Sequence, residues 1–278
     1  MRKKAALRAD LTPSLRQTLD EETAALTSSA SGPLRVLFDE SVAPRASDAE
    51  IDGYRRALPH GAGTLLQALV GHGRLLLPLR DAGFVVHGVD PSAACLARCA
   101  ARVQAAGGRA ELFRQPLSAL NLPFRYAAAL FGAGDFQRLA RRTDALDALL
   151  RIRAHLVDPG LLHLDLFVPG EASHPPGAPV VELATATMPD GAQIVRRSET
   201  AVDAGRRMMI VKSRFERRDR LGIRAREDDV RETTWYSQGE VAALVGDAGY
   251  RDVRCQPAPW QPVIAAAHAT CFVLTARI

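Results

Sequence analysis

Lysine is almost missing from this sequence: Lys3, Lys4 and Lys212 are the only three in 278 residues, so arginine carries nearly all the positive charge. Those arginines are spread along the chain with acids between them, and the net charge of +5 does not gather into the basic stripe that a nucleic-acid partner needs. Cysteine is scarce too. Cys95, Cys99, Cys255 and Cys271 are too few and too scattered for a disulfide framework. Cys95 and Cys99 lie one helical turn apart and could share a metal, but no second pair with ligand spacing accompanies them. The expectation is therefore buried helix packing and no metal. No run approaches the roughly 20 apolar residues of a membrane span, and the charged N-terminus "MRKKAALRADLTPSL" has no apolar signal core. Those absences point to a cytoplasmic protein.

What is present suits a large core. Hydrophobic residues make up 47% of the chain, enough for one full-sized domain with embellishments. Residues 13–27 read as an amphipathic helix followed by a linker, and Ser47 to Glu50 is a capping box opening a second helix that runs to about Leu58. Residues 1–62 thus form a helical lead-in. From Gly63 short apolar strands alternate with helices: "TLLQALV", "RLLLPLRDA", "FVVHGV", "AACLARCAARVQAA", "AELFR", "AAALF", "DALDALLRIRAHL" and, after the turn Asp158-Pro-Gly160, "LLHLDLF". Nearly unbroken apolar strands imply a mostly parallel sheet covered on both faces, with ligands at the carboxyl ends of its strands. Residues 178–233 change rhythm. Four alternating segments, separated by the hairpin signals Asp190-Gly191, Ala204-Gly205 and Leu221-Gly222, predict an antiparallel meander serving as lid or subunit interface. Ser237 to Glu240 then opens a last helix, and "RDVRCQ" and "TCFVLTARI" close the sheet, so the α/β core comprises 63–177 and 234–278. Trp235 and Tyr236 are placed to pack the meander on the sheet.

A strand, a glycine turn, a helix, a strand ending in an acid and a late antiparallel pair, carried by "GRLLLPLRDAGFVVHGVDPSAACLARC" and "LLRIRAHLVDPGLLHLDLFVPG", resemble a class I S-adenosylmethionine-dependent methyltransferase over about residues 36–278. The resemblance implies a doubly wound, mostly parallel seven-stranded α/β sheet with the meander inserted. It also implies S-adenosyl-L-methionine as cofactor and a small-molecule acceptor. The family's acid-x-Gly-x-Gly-x-Gly pattern falls on Gln67, Leu69, Gly71 and Gly73 in "QALVGHGRLLLPL", with His72 between the last two. Gln67 is neutral where the family holds the cofactor's ammonium with a carboxylate, and Leu69 brings a branched side chain where a glycine is usual. His72 is either a base for another reaction or a polar group filling vacated space.

Asp90 matches the acid that accepts both ribose hydroxyls; read locally, it is an N-cap for the helix after Pro91. Where the family meets adenine with an aspartate, this chain has Pro116 beside Gln115, and Ala127 stands at the fourth strand's acid. The implied cofactor set is therefore Gln67, Gly71, His72, Gly73, Asp90 and Gln115. Methyl transfer needs chiefly alignment of donor and acceptor and removal of a proton. By position, Asp135, His163 and Asp165 are candidate bases; the plain reading is turn formation for Asp135 and a shared strand face, solvated or hydrogen-bonded, for His163 and Asp165. Two functions follow. One is a methyltransferase with an atypical cofactor site; the other is a pseudoenzyme, a non-catalytic subunit supporting an active methyltransferase. A homodimer, or a heterodimer with an intact paralogue, is the expected assembly.

Overall fold

Strands with no polar alternation must be covered on both faces, and this sheet is. The computed structural model describes residues 31–59, 61, 63–170, 179–258 and 270–278, so the helix expected at 13–27 lies outside the described residues. Five strands run parallel: β1 (Leu65–Ala68), β2 (Val86–Val89), β3 (Leu112–Phe113), β4 (Tyr126–Phe131) and β5 (Leu156–Val168). The chain then makes β6 (Val180–Thr187), β7 (Gln193–Asp203), β8 (Met208–Asp219) and β9 (Gly222–Thr234), a separate antiparallel sheet joined in sequence order. It returns as β10 (Arg251–Pro257) and β11 (Thr270–Arg277), antiparallel to each other, with β11 antiparallel to β5. The seven-stranded order is β10-β11-β5-β4-β1-β2-β3, and the winding reverses between β1 and β4.

Among the described residues, six α-helices accompany these strands: α1 (Pro33–Val42), α2 (Asp48–Ala57), α3 (Leu76–Asp81), α4 (Ala93–Ala105), α5 (Arg142–Ala154) and α6 (Gln238–Asp247). Alternate side chains of each strand feed opposite layers. Leu65, Ala128 and Leu130 pack with Ile51 and Tyr54 of α2, Leu76 and Leu79 of α3 and Val103 of α4. Leu66, Ala129 and Phe131 face the other way, onto Leu149 and Ile152 of α5 and Leu244 of α6. Each such buried leucine or phenylalanine is worth about 1.5–3 kcal/mol, so the two layers hold the strand ends rigidly. Both expected capping boxes form: Ser47 with Glu50, and Ser237 with Glu240.

Three local expectations change. Residues 33–42 are helical, opened by Pro33 at a position where its missing N–H costs nothing. This α1 lacks a side-chain cap of its own; instead the Glu227 carboxylate of β9 accepts the N–H groups of Leu34 (2.8 Å) and Arg35 (3.1 Å). Gly32 makes room for it, since a Cβ there would lie 2.4 Å from Glu227 Cδ. Phe38 and Leu34 then bury against Ile194 and Phe215, so α1 packs on the meander. The "AELFR" strand shrinks to two paired residues at the sheet edge. Asp158 to Gly160 does not precede the fifth strand but lies inside it, accommodated by a register shift between the pairs Tyr126↔Leu156 and Ala128↔Leu161.

Candidate functional site

At the point where the winding reverses, the backbone leaving β1 takes three left-handed steps: Leu69 at φ +55°, Gly71 at +57° and Gly73 at +83°. The two glycines do different things. A Cβ on Gly71 would meet nothing within 4 Å, whereas one on Gly73 would lie 2.9 Å from Cys99 Sγ of α4. Gly71 therefore faces open space, and Gly73 lets a helix come close. Asp90 ties the turn down: its carboxylate accepts Gly71 N–H at 3.0 Å on one oxygen and Ser92 N–H at 2.8 Å on the other. The N-cap of α4 is Ser92, whose hydroxyl accepts Cys95 N–H at 3.2 Å, so capping is not the work of Asp90. A carboxylate has about four acceptor positions, and these bonds use two.

Above this turn is a cavity of about 420 Å³, within the roughly 300–1,000 Å³ usual for small-molecule sites. Its floor is Gln67, Leu69, Gly71 and Asp90; the loop Gly132 to Arg138 after β4 forms one wall, α1 another, and Arg196 and Arg231 of the meander a third. Gln67 is buried, and its Oε1 has no hydrogen-bond partner among the described residues. Five arginines (35, 74, 138, 196 and 231) face three aspartates (39, 90 and 135) across this space. Glu50 clamps Arg74 with bonds of 2.9 and 3.0 Å, and Arg35 is held by Asp39 at 3.1 Å and by a buried ion pair with Asp229.

Burial shapes the charges. It raises the Asp90 carboxyl, against the pull of its two backbone donors, and it raises Asp135 against the pull of Arg138 and Arg231. Asp135 keeps a quarter of its side-chain surface accessible where it lines the cavity, with Arg138 3.4 Å away. Burial, then the neighbouring Arg35 and Arg138, lowers Arg231 to about 9. Burial and Arg102 also lower His72. The His72 Nε2 lies 3.3 Å from the Ala43 carbonyl, which only accepts, so this nitrogen carries the hydrogen.

No protein-family model and no curated protein matches the sequence. Solved structures do match. A S-adenosylmethionine-dependent methyltransferase from Clostridium acetobutylicum superposes with a TM-score of 0.67 at 13% identity, over 87% of this chain and 96% of its own. The sugar N-methyltransferase KedS8 from Streptoalloteichus gives 0.63 at 16% identity, over 100% and 99%. The CcbJ methyltransferase from Streptomyces caelestis gives 0.61 at 18%, over 92% and 95%. The chain has the class I S-adenosylmethionine-dependent methyltransferase fold.

Within that methyltransferase fold, the structure brings Gln67, Gly71, His72, Asp90 and Asp135 to one cavity. It does not bring the others. Gln115 spends both ends of its amide on Asn121 (2.8 and 3.0 Å) and lies outside the cavity lining. Gly73 packs on α4, as above. His163 is buried in β5 and outside the cavity lining, its Nε2 3.1 Å from Asp165. Asp165 in turn accepts the Tyr54 hydroxyl and, at 3.1 Å, Ala133 N–H, so this pair supports the loop that carries Asp135. Burial pushes the Cys95 thiol up to about 11 and the Cys99 thiol to about 12, which suits packing groups. Tyr236 packs on Phe136, their ring centroids 6.2 Å apart, joining meander end to core. Sequence reasoning missed the cavity's arginines. The one signal was alternation in β7, which puts Arg196 on the same face as Ile194; packing against α1 makes that face inward.

Proposed function

We propose that this cavity takes S-adenosylmethionine and that the chain is a methyltransferase for a small-molecule acceptor. The observation that carries the reading is Gln67 Oε1, a buried acceptor without a partner among the described residues, placed beside Gly71 and Asp90. Native structures seldom leave such an atom unpaired without a ligand or water to meet it. Gln67 would accept from the cofactor's ammonium, the two free acceptor positions of Asp90 would take ribose hydroxyls, and the open face of Gly71 would admit the cofactor close to the backbone. S-adenosylmethionine, when bound, supplies a methyl group on a positively charged sulfur.

The chain's own residues supply position and proton transfer. Asp165, held by Tyr54 and His163, fixes Ala133 N–H and so aims the loop carrying Asp135. Asp135 lines the cavity with its proton affinity raised by burial, which suits a carboxylate that receives a proton from an acceptor amine or hydroxyl. His72, tethered to Ala43, fills the wall between α1 and the turn.

A second reading rests on two other observations. Leu69 holds a left-handed conformation that favours glycine, and the arginine excess opposes a positively charged sulfur. Both suit a non-catalytic methyltransferase-like subunit, paired with a second copy or with an intact paralogue that does the chemistry. Calorimetric titration of S-adenosylhomocysteine separates the readings. Micromolar binding that drops about tenfold in Gln67→Leu, a change that leaves no buried amide unpaired, supports the first. No heat from the wild-type chain at high protein concentration overturns it.

A further inference from the structure

The meander turns a polar face to the cavity, although its neighbours are apolar. Cross-strand partners share a face, and the pairs Arg196↔Phe215↔Glu227, Ser198↔Ser213↔Asp229 and Thr200↔Val211↔Arg231 descend one face of β7, β8 and β9. Phe215 and Ile194 mark that face as inward, for both are essentially fully buried against α1. Beyond the Phe215 row the face becomes Ser198, Ser213, Asp229, Thr200 and Arg231, with Val211 its apolar member. A lid that only had to cover a core would have stayed apolar there.

Among the described residues, two guanidinium groups of this face that line the cavity, Arg196 in the Phe215 row and Arg231 two rows on, lack a close carboxylate. For Arg231 the nearest ion-pair distance is 3.9 Å, to Asp39, and for Arg196 it is 3.8 Å, to Glu182; neither Nε, though buried, has a hydrogen-bond partner among the described residues. Arg196 instead lies over the Phe38 ring, 5.1 Å from its centre. Arg138, across the cavity on the loop after β4, adds a third positive group whose partner Asp135 is at 3.4 Å. By contrast Arg35 and Arg74 are fully engaged with Asp229, Asp39 and Glu50. Guanidinium groups that line a cavity with a buried Nε–H unpartnered among the described residues and with their carboxylates no nearer than 3.8 Å form a receptor for a planar or tetrahedral oxyanion.

We propose that Arg196 and Arg231, assisted by Arg138, bind an oxyanion of the acceptor, a carboxylate or phosphate, so that the substrate class is an anionic small molecule. This rests on the methyltransferase reading above. The same oxyanion chemistry also exists on the methionine end of the cofactor; that Arg196 and Arg231 stand on the inserted meander, an element separate from β1 and its glycine turn, favours the acceptor.

The test titrates inorganic pyrophosphate, S-adenosylhomocysteine and 5′-methylthioadenosine separately into the full chain at low salt. Wild type is compared with Arg196→Gln, Arg231→Gln, Arg231→Lys and the exposed outer-face control Arg214→Gln, each checked for an unchanged unfolding temperature. The expected result is pyrophosphate binding that weakens about tenfold or more in both glutamine variants and less in the lysine variant. Binding is intact in Arg214→Gln, and S-adenosylhomocysteine affinity stays within about twofold throughout. Absence of pyrophosphate binding, or equal loss in Arg214→Gln, overturns the proposal. So does a loss of S-adenosylhomocysteine affinity without loss of 5′-methylthioadenosine, which assigns the arginines to the cofactor's carboxylate. If S-adenosylhomocysteine does not bind while pyrophosphate binds through the two arginines, the oxyanion site stands and the methyltransferase reading falls.

Discussion

The carboxylate of Asp90 and the backbone N–H of Gly71 meet at 3.0 Å, joining the end of β2 to the turn that follows β1. This single bond sets the shape of the cavity floor. The other oxygen of Asp90 holds Ser92 N–H, so the same side chain also fixes the start of α4. Strand end, turn and helix start are thus one rigid unit before any ligand arrives.

Replacing Asp90 with asparagine removes one of two acceptor oxygens, and one buried N–H, of Gly71 or Ser92, loses its partner. The expected destabilisation is about 1–3 kcal/mol, partly offset because a buried charge is also removed. Affinity for S-adenosylhomocysteine should fall at least about tenfold. Urea denaturation and calorimetry read the two effects; retained affinity would dissociate Asp90 from the ligand.

The two glycines of the turn predict opposite outcomes. Gly73→Ala forces a Cβ within 2.9 Å of Cys99 Sγ at φ +83°, so stability should drop by about 2 kcal/mol or more with little direct change at the cavity. Gly71→Ala meets no atom within 4 Å but strains a left-handed residue and intrudes on the cavity, giving about 1 kcal/mol of destabilisation and a larger loss of ligand affinity. Equal effects in both assays would refute this division of roles.

Much of this site could be read from local chemistry, and the remainder depended on packing between distant segments. Gly71, Gly73 and Asp90 announce themselves because a left-handed turn and a strand-terminal acid have few substitutes. The hairpins of the meander were legible for the same reason, through Asp190-Gly191 and Leu221-Gly222. Helix α1 was not, because the group at its N-terminus, Glu227, lies 193 positions away from Leu34. Nor were Arg196 and Arg231 distinguishable from the many surface arginines. Alternation says that they share a face, but only the docking of α1 shows that the face is inward. Gln115 shows the converse, a polar residue in the right register whose amide closes its own loop on Asn121.

His72 makes stability depend on pH. Burial and Arg102 lower its folded-state pKa below the ordinary 6.5, so the unfolded chain binds more protons as pH falls through that value. Stability should therefore decline from about pH 6.5 downward, until the folded pKa is passed. His87 is shifted the same way by burial, so His72→Gln should flatten the decline in part and not abolish it. Urea midpoints at pH 7.5, 6.5 and 5.5 decide this; an identical slope in the variant would show that His72 does not titrate against folding.

Leu69 is where fold stability and ligand access oppose each other. Its φ of +55° is a conformation that costs a non-glycine residue about 1–2 kcal/mol, yet its side chain is buried in the core cluster of the sheet. Leu69→Gly relieves the strain but forfeits a buried leucine, worth about 2–5 kcal/mol on truncation, and adds chain entropy to the unfolded state. The sum should be a net loss of about 0.5–5 kcal/mol. The cavity floor, which Leu69 lines, widens at the same time, and affinity for S-adenosylhomocysteine should rise several-fold. A variant that is less stable yet binds no better would show that Leu69 supports the sheet without limiting the site. One that binds better would make this leucine the chain's own restriction on its cofactor.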